Sequence, residues 1–244
     1  MDFTLSKYSA LLSSLKSYGF QSLMLRHDVD LLPQNSLRTA RMEAEMDMSG
    51  IYYFRAVPES WNEAIIQEIA FLGHEIGYHY ESLTTCNGNV DKAYEDFCRN
   101  LEALRRLVPV KSICMHGSPR SPYDSKDIWK KYDYHSLGIE NEPYLDTDFS
   151  KTFYLTDTGR RWDGYKVSVR DKIPHYQDEW IARGLTFHST DDVIEGLRTV
   201  RIPKNLMITV HPQRWNPLGP AWCREFVLQN AKNIIKQAII KRHQ

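Results

Sequence analysis

The segment Leu23-Met24-Leu25-Arg26-His27-Asp28-Val29-Asp30 is a short apolar run that ends in a burst of charge. In an extended strand side chains alternate faces, so Arg26, Asp28 and Asp30 share one face while Leu23 and Leu25 share the other. Two carboxylates held side by side repel unless a cation or a proton sits between them. An Asp-x-Asp at a strand terminus therefore points to metal binding, proton transfer, or both. The plain alternative is a strand end running into a solvated turn, with Pro33 opening the next helix.

Three histidines occupy comparable places. His79, His116 and His211 each follow an apolar stretch that reads as a strand. The string His74-Glu75-Ile76-Gly77-Tyr78-His79 differs from the helical His-Glu-x-x-His zinc motif, because its histidines are five apart rather than four and Gly77 disfavours helix. As a strand it places Glu75, Gly77 and His79 on one face and His74 on the other. His79 is thus expected to reach a site and His74 to be structural.

The elements that must position these residues alternate along the chain. Tyr8, Leu11, Leu12 and Leu15 have helical spacing over residues 6 to 18, closed by Gly19, before the first strand begins at Leu23. Leu37, Ala40, Ala44 and Met48 mark a helix ended by Gly50, and Ile51-Tyr52-Tyr53-Phe54 reads as a buried strand. Ser60-Trp61-Asn62-Glu63 reads as a capping box for a helix stopping at Gly73. Then come an extended segment over 74–79, a helix over 90–107 with Ala93, Phe97, Leu101 and Leu104 inward, and the strand Ser112-Ile113-Cys114-Met115.

The region 117–185, rich in aromatic, Pro, Gly and Asp residues, suggests short strands near 134–139 and 152–156. A helix near 190–199, the strand Leu206-Met207-Ile208-Thr209-Val210 and a C-terminal helix from about residue 220 complete the chain. This alternation implies a parallel sheet covered by helices, one domain over residues 1–244, with a barrel the best fit. In a (β/α) barrel the C-terminal ends of the strands form one face, and there Asp28, Asp30, His79, His116 and His211 would converge.

Composition narrows the function. With 31 Lys+Arg against 31 Asp+Glu there is no electrostatic footprint of a nucleic-acid or anionic-membrane binder. No stretch approaches the roughly 20 apolar residues of a membrane span. The start, Met1-Asp2-Phe3-Thr4, lacks a basic region followed by an apolar one, so no signal peptide and a cytoplasmic location are expected. Cys86, Cys98, Cys114 and Cys223 are too scattered for a zinc ribbon or a disulfide framework.

Taken together, Arg26-His27-Asp28-Val29-Asp30, Gly73-His74-Glu75-Ile76-Gly77-Tyr78-His79 and Val210-His211-Pro212 resemble the polysaccharide deacetylases, carbohydrate esterase family 4, over roughly residues 20 to 215. In style they are similar to the bacterial subgroup whose first motif reads His-Asp-Val-Asp. The resemblance implies a distorted (β/α)7 TIM-like barrel and a divalent metal, usually zinc, used to hydrolyse acetyl groups on sugars. It implies Asp28 as general base, Asp30 and His79 as metal ligands and His211 as general acid. Arg120-Ser121-Pro122-Tyr123 is similar to the family's Arg-x-Pro-Tyr motif, in which Arg120 would orient the base.

The family's second ligand histidine falls at Leu83, which cannot bind a metal. A catalytic zinc normally has three protein ligands, so His116 is expected to complete the set, with Glu81 as the alternative. Arg160-Arg161-Trp162-Asp163 loosely echoes the family's downstream Asp/Trp motif. Tyr123, Trp162 and Trp215 are expected to offer flat platforms to sugar rings.

The expected activity is removal of an acetyl group from an N-acetylated sugar or glycoconjugate, a nucleotide- or lipid-linked precursor of surface polysaccharide of the O-antigen or lipopolysaccharide kind. The alternative is a barrel that has lost catalysis and serves as a carbohydrate-binding or scaffold protein. A glycoside hydrolase would need a second carboxylate partnering Asp28, and no convincing candidate stands in the sequence.

Overall fold

The computed structural model of the chain describes residues 1–118, 121–168 and 171–242, with side chains described through residue 234. Fifteen helices and strands alternate: α1 (Leu5–Ser17), β1 (Ser22–Val29), α2 (Pro33–Ala44), β2 (Ile51–Phe54), α3 (Glu63–Phe71), β3 (Glu75–Tyr80), α4 (Ser82–Thr85), α5 (Val90–Arg105), β4 (Val110–Met115), α6 (Pro143–Asp146), β5 (Phe153–Thr156), α7 (Pro174–Ala182), α8 (Thr190–Arg198), β6 (Asn205–Val210) and α9 (Pro220–Arg242). The strands form one parallel sheet in the order β4-β3-β2-β1-β6-β5.

The parallel α/β architecture expected from the alternation is present, as a single curled sheet of six strands among the described residues. A seventh is reduced to an isolated parallel bridge between Ser112 and Asn141 on the outer edge of β4. The curl is visible in side-chain contacts. Strands two apart in a flat sheet stand about 9–10 Å apart. Yet Asp28 on β1 and His79 on β3 approach to 3.8 Å across the concave face.

Two expected features differ. Ser60 does not cap α3; Asn62 does, its side chain accepting the Ile65 N–H at 3.1 Å. Ser60 Oγ instead accepts the Arg55 N–H and donates to the Val29 carbonyl, tying the ends of β1 and β2 together. The strand expected near 134–139 is a 3₁₀ turn over His135–Leu137 ended by left-handed Gly138. Tyr134 and Ile139 of that aromatic-rich stretch join the core over β2, β3 and β4, and its backbone bonds β4 at Glu140 and Asn141 without forming a strand.

Apolar clusters fill both sides of the sheet. Leu11, Leu12 and Leu15 of α1 pack with Val193 and Leu197 of α8 and with β5 and β6, while α2, α3 and α5 cover β2, β3 and β4. Within the covered side of β1 lies a buried polar knot. His27 stacks on Tyr52 at 3.9 Å and its Nε2 lies 2.8 Å from Glu43 Oε1, to which the Tyr8 hydroxyl also donates. His74 joins them: its Nδ1 accepts the Gly50 N–H at 3.1 Å, so its proton is on Nε2, which donates to the Ala40 carbonyl at 2.9 Å. The structural role expected of His74 follows from these bonds. Burial lowers its pKa, which favours that neutral tautomer.

Gly77 sits where β3 faces inward, and the ring of Tyr53 lies flat across it to hydrogen-bond Ser112. A Cβ there would overlap that ring and come within 3.0 Å of the Ser112 carbonyl oxygen. Gly77→Ala is therefore expected to destabilise the fold by about 1–3 kcal/mol. A urea unfolding midpoint equal to that of the wild type would contradict this reading.

Candidate metal centre and active site

Each of the six strands ends in a charged or ionisable residue. Asp28 and Asp30 close β1, Arg55 follows β2, His79 and Glu81 close β3, His116 follows β4, Asp157 follows β5 and His211 follows β6. Parallel strands present all their C-terminal ends on one rim, so the fold delivers these groups to one place.

At the centre, Asp30 Oδ1 lies 3.7 Å from His79 Nε2 and 3.4 Å from His116 Nε2. Those three side chains offer donor atoms that all lie within 4.8 Å of one another. Each is fixed from behind. His79 Nδ1 is 2.9 Å from the Cys114 carbonyl oxygen, which can only accept, so Nδ1 carries the proton and Nε2 keeps a free lone pair. His116 Nδ1 lies 3.0 Å from Glu81 Oε2, with the same result for its Nε2. Gln213 Nε2–H donates to Asp30 Oδ2 at 3.1 Å, leaving Oδ1 buried with no hydrogen-bond partner among the described residues.

An orphaned carboxylate oxygen facing two free imidazole nitrogens is a donor set that fits a divalent cation of borderline softness, and the bonds behind each histidine are those that orient metal ligands. Without a cation, burial pushes the His79 imidazolium down to about 4, although Asp28 and Asp30 pull the other way. The neutral, ligating form is thereby favoured.

The residues for which the sequence left two alternatives are now placed. Glu81 is engaged by Arg55, which donates from Nε at 3.0 Å and from a terminal nitrogen at 2.6 Å, and by His116. It supports His116 rather than facing Asp30. Leu83, in α4, packs against Ala93 and Ile128. Glu81→Gln is expected to weaken divalent-metal affinity by about 10–100-fold, the usual effect of losing a carboxylate behind a ligating histidine. Competition titration with a chromogenic chelator measures it, and an unchanged affinity would remove His116 from the ligand set.

On one flank stands Asp28, buried and gripped by Arg26 of its own strand: Nε donates to Oδ1 at 2.8 Å and a terminal nitrogen to Oδ2 at 2.6 Å. Burial opposes the charge, but the Arg26 guanidinium and His79 outweigh it and hold Asp28 at about 2. On the other flank His211 Nδ1 bonds Asp157 Oδ1 at 2.7 Å and its Nε2 lies 4.0 Å from Asp30 Oδ2. Burial and Arg214 lower the His211 pKa, but Asp157 and Asp30 outweigh them and raise it.

Asp157 is wholly buried. It accepts the His211 backbone N–H at 3.1 Å, Arg214 at 2.7 Å and the Trp215 indole N–H at 2.8 Å. Sequence reasoning missed Asp157 and Arg55, although each follows a short apolar strand directly, the same signal that singled out His116 and His211.

Other expected site residues fall elsewhere. Trp215 is fully buried against Phe3 and Tyr8, and Trp162 is buried with its ring stacked on Phe3 and its N–H on Thr190. Neither can serve as a sugar platform, because both rings are consumed by the core. Tyr123 is partly exposed and lies over Gly88, where left-handed backbone and ring contact both require glycine. Arg120 lies outside the described residues.

No family model and no curated protein matches the chain. Among solved structures, it is similar to a CE4 family pseudoenzyme from Bacillus anthracis at 12% identity and a TM-score of 0.42, over 89% of this chain and 62% of that one. A mutant of that pseudoenzyme with restored enzymatic activity matches at 11% identity and the same TM-score of 0.42, over 89% of this chain and 64% of the mutant. The chain thus spans less than two thirds of the length of those relatives. A mutant of the peptidoglycan deacetylase PdaC from Bacillus subtilis matches at 9% identity and a TM-score of 0.41, over 93% of this chain and 98% of that one.

Proposed function

We propose that the chain is a metal-dependent hydrolase that removes the acetyl group from an N-acetylated sugar. The observation that carries this reading is the convergence of Asp30, His79 and His116 on one point, with a charged carboxylate, Asp28, and a histidine with raised pKa, His211, on its two sides. Asp30, His79 and His116 would hold the ion, zinc being the metal that suits two imidazoles and a carboxylate. A divalent ion so bound supplies Lewis-acid polarisation of an acyl oxygen and an acidified water.

The chain's own residues do the rest. Asp28 accepts the proton of the attacking water as the C–O bond forms. Arg26 keeps that carboxylate ionised and turned toward the centre. His211, kept protonated by Asp157 behind Nδ1, gives the Nε2 proton to the leaving nitrogen as the C–N bond breaks, because an amine is too basic to depart as an anion. Acetate and a free amino sugar result. Tyr123, partly exposed over Gly88, would contact the sugar ring.

The substrate we propose is an acetamido sugar carried on a nucleotide or lipid in the cytoplasm, a precursor of surface polysaccharide. The balanced charge of 31 against 31 supports it, since it provides no electrostatic attraction to a charged polymer. Leu83, standing where the resemblance places a ligand histidine, favours a second reading, a barrel that binds sugar without hydrolysing it. Incubating the purified protein with zinc, manganese or cobalt and a panel of N-acetyl sugar conjugates, with acetate as the readout, separates the two. Release of acetate that is lost on chelation supports the hydrolase. Tight sugar binding indifferent to chelator, with no acetate from any conjugate, supports the second reading.

A further inference from the structure

Against the concave face of the sheet stands a half-buried carboxylate, Asp171, that the proposed chemistry does not use. Asp171 accepts the Tyr144 hydroxyl at 2.9 Å and the Tyr154 hydroxyl on Oδ1, and the Thr156 hydroxyl at 2.8 Å and the Thr158 hydroxyl on Oδ2. Four hydroxyls from α6, β5 and the turn after it thus converge on one side chain. Its backbone N–H is held by Ser168 Oγ at 2.8 Å.

The Tyr144 hydroxyl, which also lies 3.3 Å from the Tyr154 hydroxyl, accepts from the Arg26 terminal nitrogen at 3.1 Å, the same nitrogen that grips Asp28 Oδ2 at 2.6 Å. The Tyr144 ring also lies beneath the guanidinium, 4.7 Å from its carbon. The other terminal nitrogen of Arg26 is buried without a hydrogen-bond partner among the described residues, of which Tyr144 and Asp28 supply the side-chain hydrogen bonds that fix this arginine.

We infer that Tyr144 and Asp171 are positioning residues for the Asp28 base, acting through Arg26 in the sequence Asp171, Tyr144, Arg26, Asp28. This rests on the hydrolase reading above and deepens it. A guanidinium that grips a carboxylate through two nitrogens sets the plane of that carboxylate. With one nitrogen unpartnered, it would pivot about the Asp28 bond unless something else held it. Tyr144 blocks the pivot from ring and hydroxyl. Asp171 takes the hydroxyl proton of Tyr144, so the tyrosine oxygen presents its lone pair to Arg26. Burial raises the Asp171 pKa, but His211 and Arg26 outweigh it and lower it, which keeps the carboxylate an acceptor. Neither residue touches the metal-ligating atoms, so its loss is read in turnover and not in metal affinity.

The test compares Tyr144→Phe and Asp171→Asn with the wild type, each with its metal content, its kcat and KM for acetate release, and the ¹⁵N–¹H resonance of Arg26 Nε, assigned by its absence in Arg26→Lys. The expected result is a kcat lower by about 10–100-fold, since small misplacement of a reacting group costs about that much, with KM within about twofold, metal stoichiometry unchanged and the Arg26 resonance shifted. A kcat within twofold of the wild type in both variants, or an unmoved resonance, overturns the inference. Tyr144→Phe removes one oxygen only and carries the test should Asp171→Asn fail to fold. A wild type that releases no acetate refutes the hydrolase reading instead, and the Arg26 resonance in the three proteins then decides the positioning chain by itself.

Discussion

Asp30→Ala is expected to abolish stoichiometric binding of a divalent ion and to lower acetate release by about 10³-fold or more, with the fold intact. The substitution removes the orphaned oxygen toward which His79 and His116 both point, at 3.7 and 3.4 Å. Two histidines alone are too few ligands for a catalytic site, which normally has three from the protein. The stabilisation lost with the ion is that of the transition-state oxyanion, worth about 2.7–4 kcal/mol even for a single donor in other hydrolytic sites. Stability should change little, because Asp30 gives up one bond, from Gln213, and its carboxylate lies at the rim. Metal content by atomic emission and acetate release measured on one preparation make the test. A variant that keeps one equivalent of metal would show that the ion is held by other groups.

Asp157→Asn carries the largest expected effect on stability, a loss of about 3–5 kcal/mol, as for breaking a buried ion pair from one side. Asp157 and Arg214 are both buried, 2.7 Å apart, and the same carboxylate takes bonds from His211 and Trp215. Removing its charge leaves Arg214 uncompensated. The pH dependence follows from the direction of the shift. Burial raises the Asp157 pKa, but Arg214 and His211 outweigh it and lower it below the ordinary carboxylate value. The unfolded chain therefore binds the proton more readily, and the stabilisation is present above about pH 4 and lost as pH falls through the folded value. Urea midpoints from pH 3 to 7 should show a sloping acid limb in the wild type that is flattened in the variant. Activity should fall as well, because an asparagine behind Nδ1 no longer favours a protonated His211.

Much of this was legible from residue spacing. The two-residue period of β1 put Arg26, Asp28 and Asp30 on one face, and the five-residue gap in His74–His79 separated a structural histidine from a site histidine. Both readings needed only the geometry of a strand. Other features depend on where elements meet, which no local pattern records. Trp162 and Trp215 have the composition of a sugar platform, yet α1 and the turn before it bring Phe3 and Tyr8 over their faces. Arg26 was visible as a neighbour of Asp28, but its grip becomes evident only once curvature buries both. Asp171 lies in a stretch with no periodicity at all. Its role is set by four hydroxyls, all of them more than ten residues away in sequence.

The strand order has a bearing on biosynthesis. Of the six strands described, β6 comes latest in the sequence, yet it is inserted between β1, the earliest of them, and β5. On the ribosome, a chain stopped short of residue 205 can pair β1 through β4, but one edge of β1 stays open and β5 has no neighbour. Parallel pairing across so long a gap is slow, and such an edge is prone to aggregate. His211, Gln213, Arg214 and Trp215 arrive on the heels of that same strand. The carboxylates at residues 30 and 157 thus wait for partners until residues 211–215 have emerged, and the rim closes only after the sixth strand has docked.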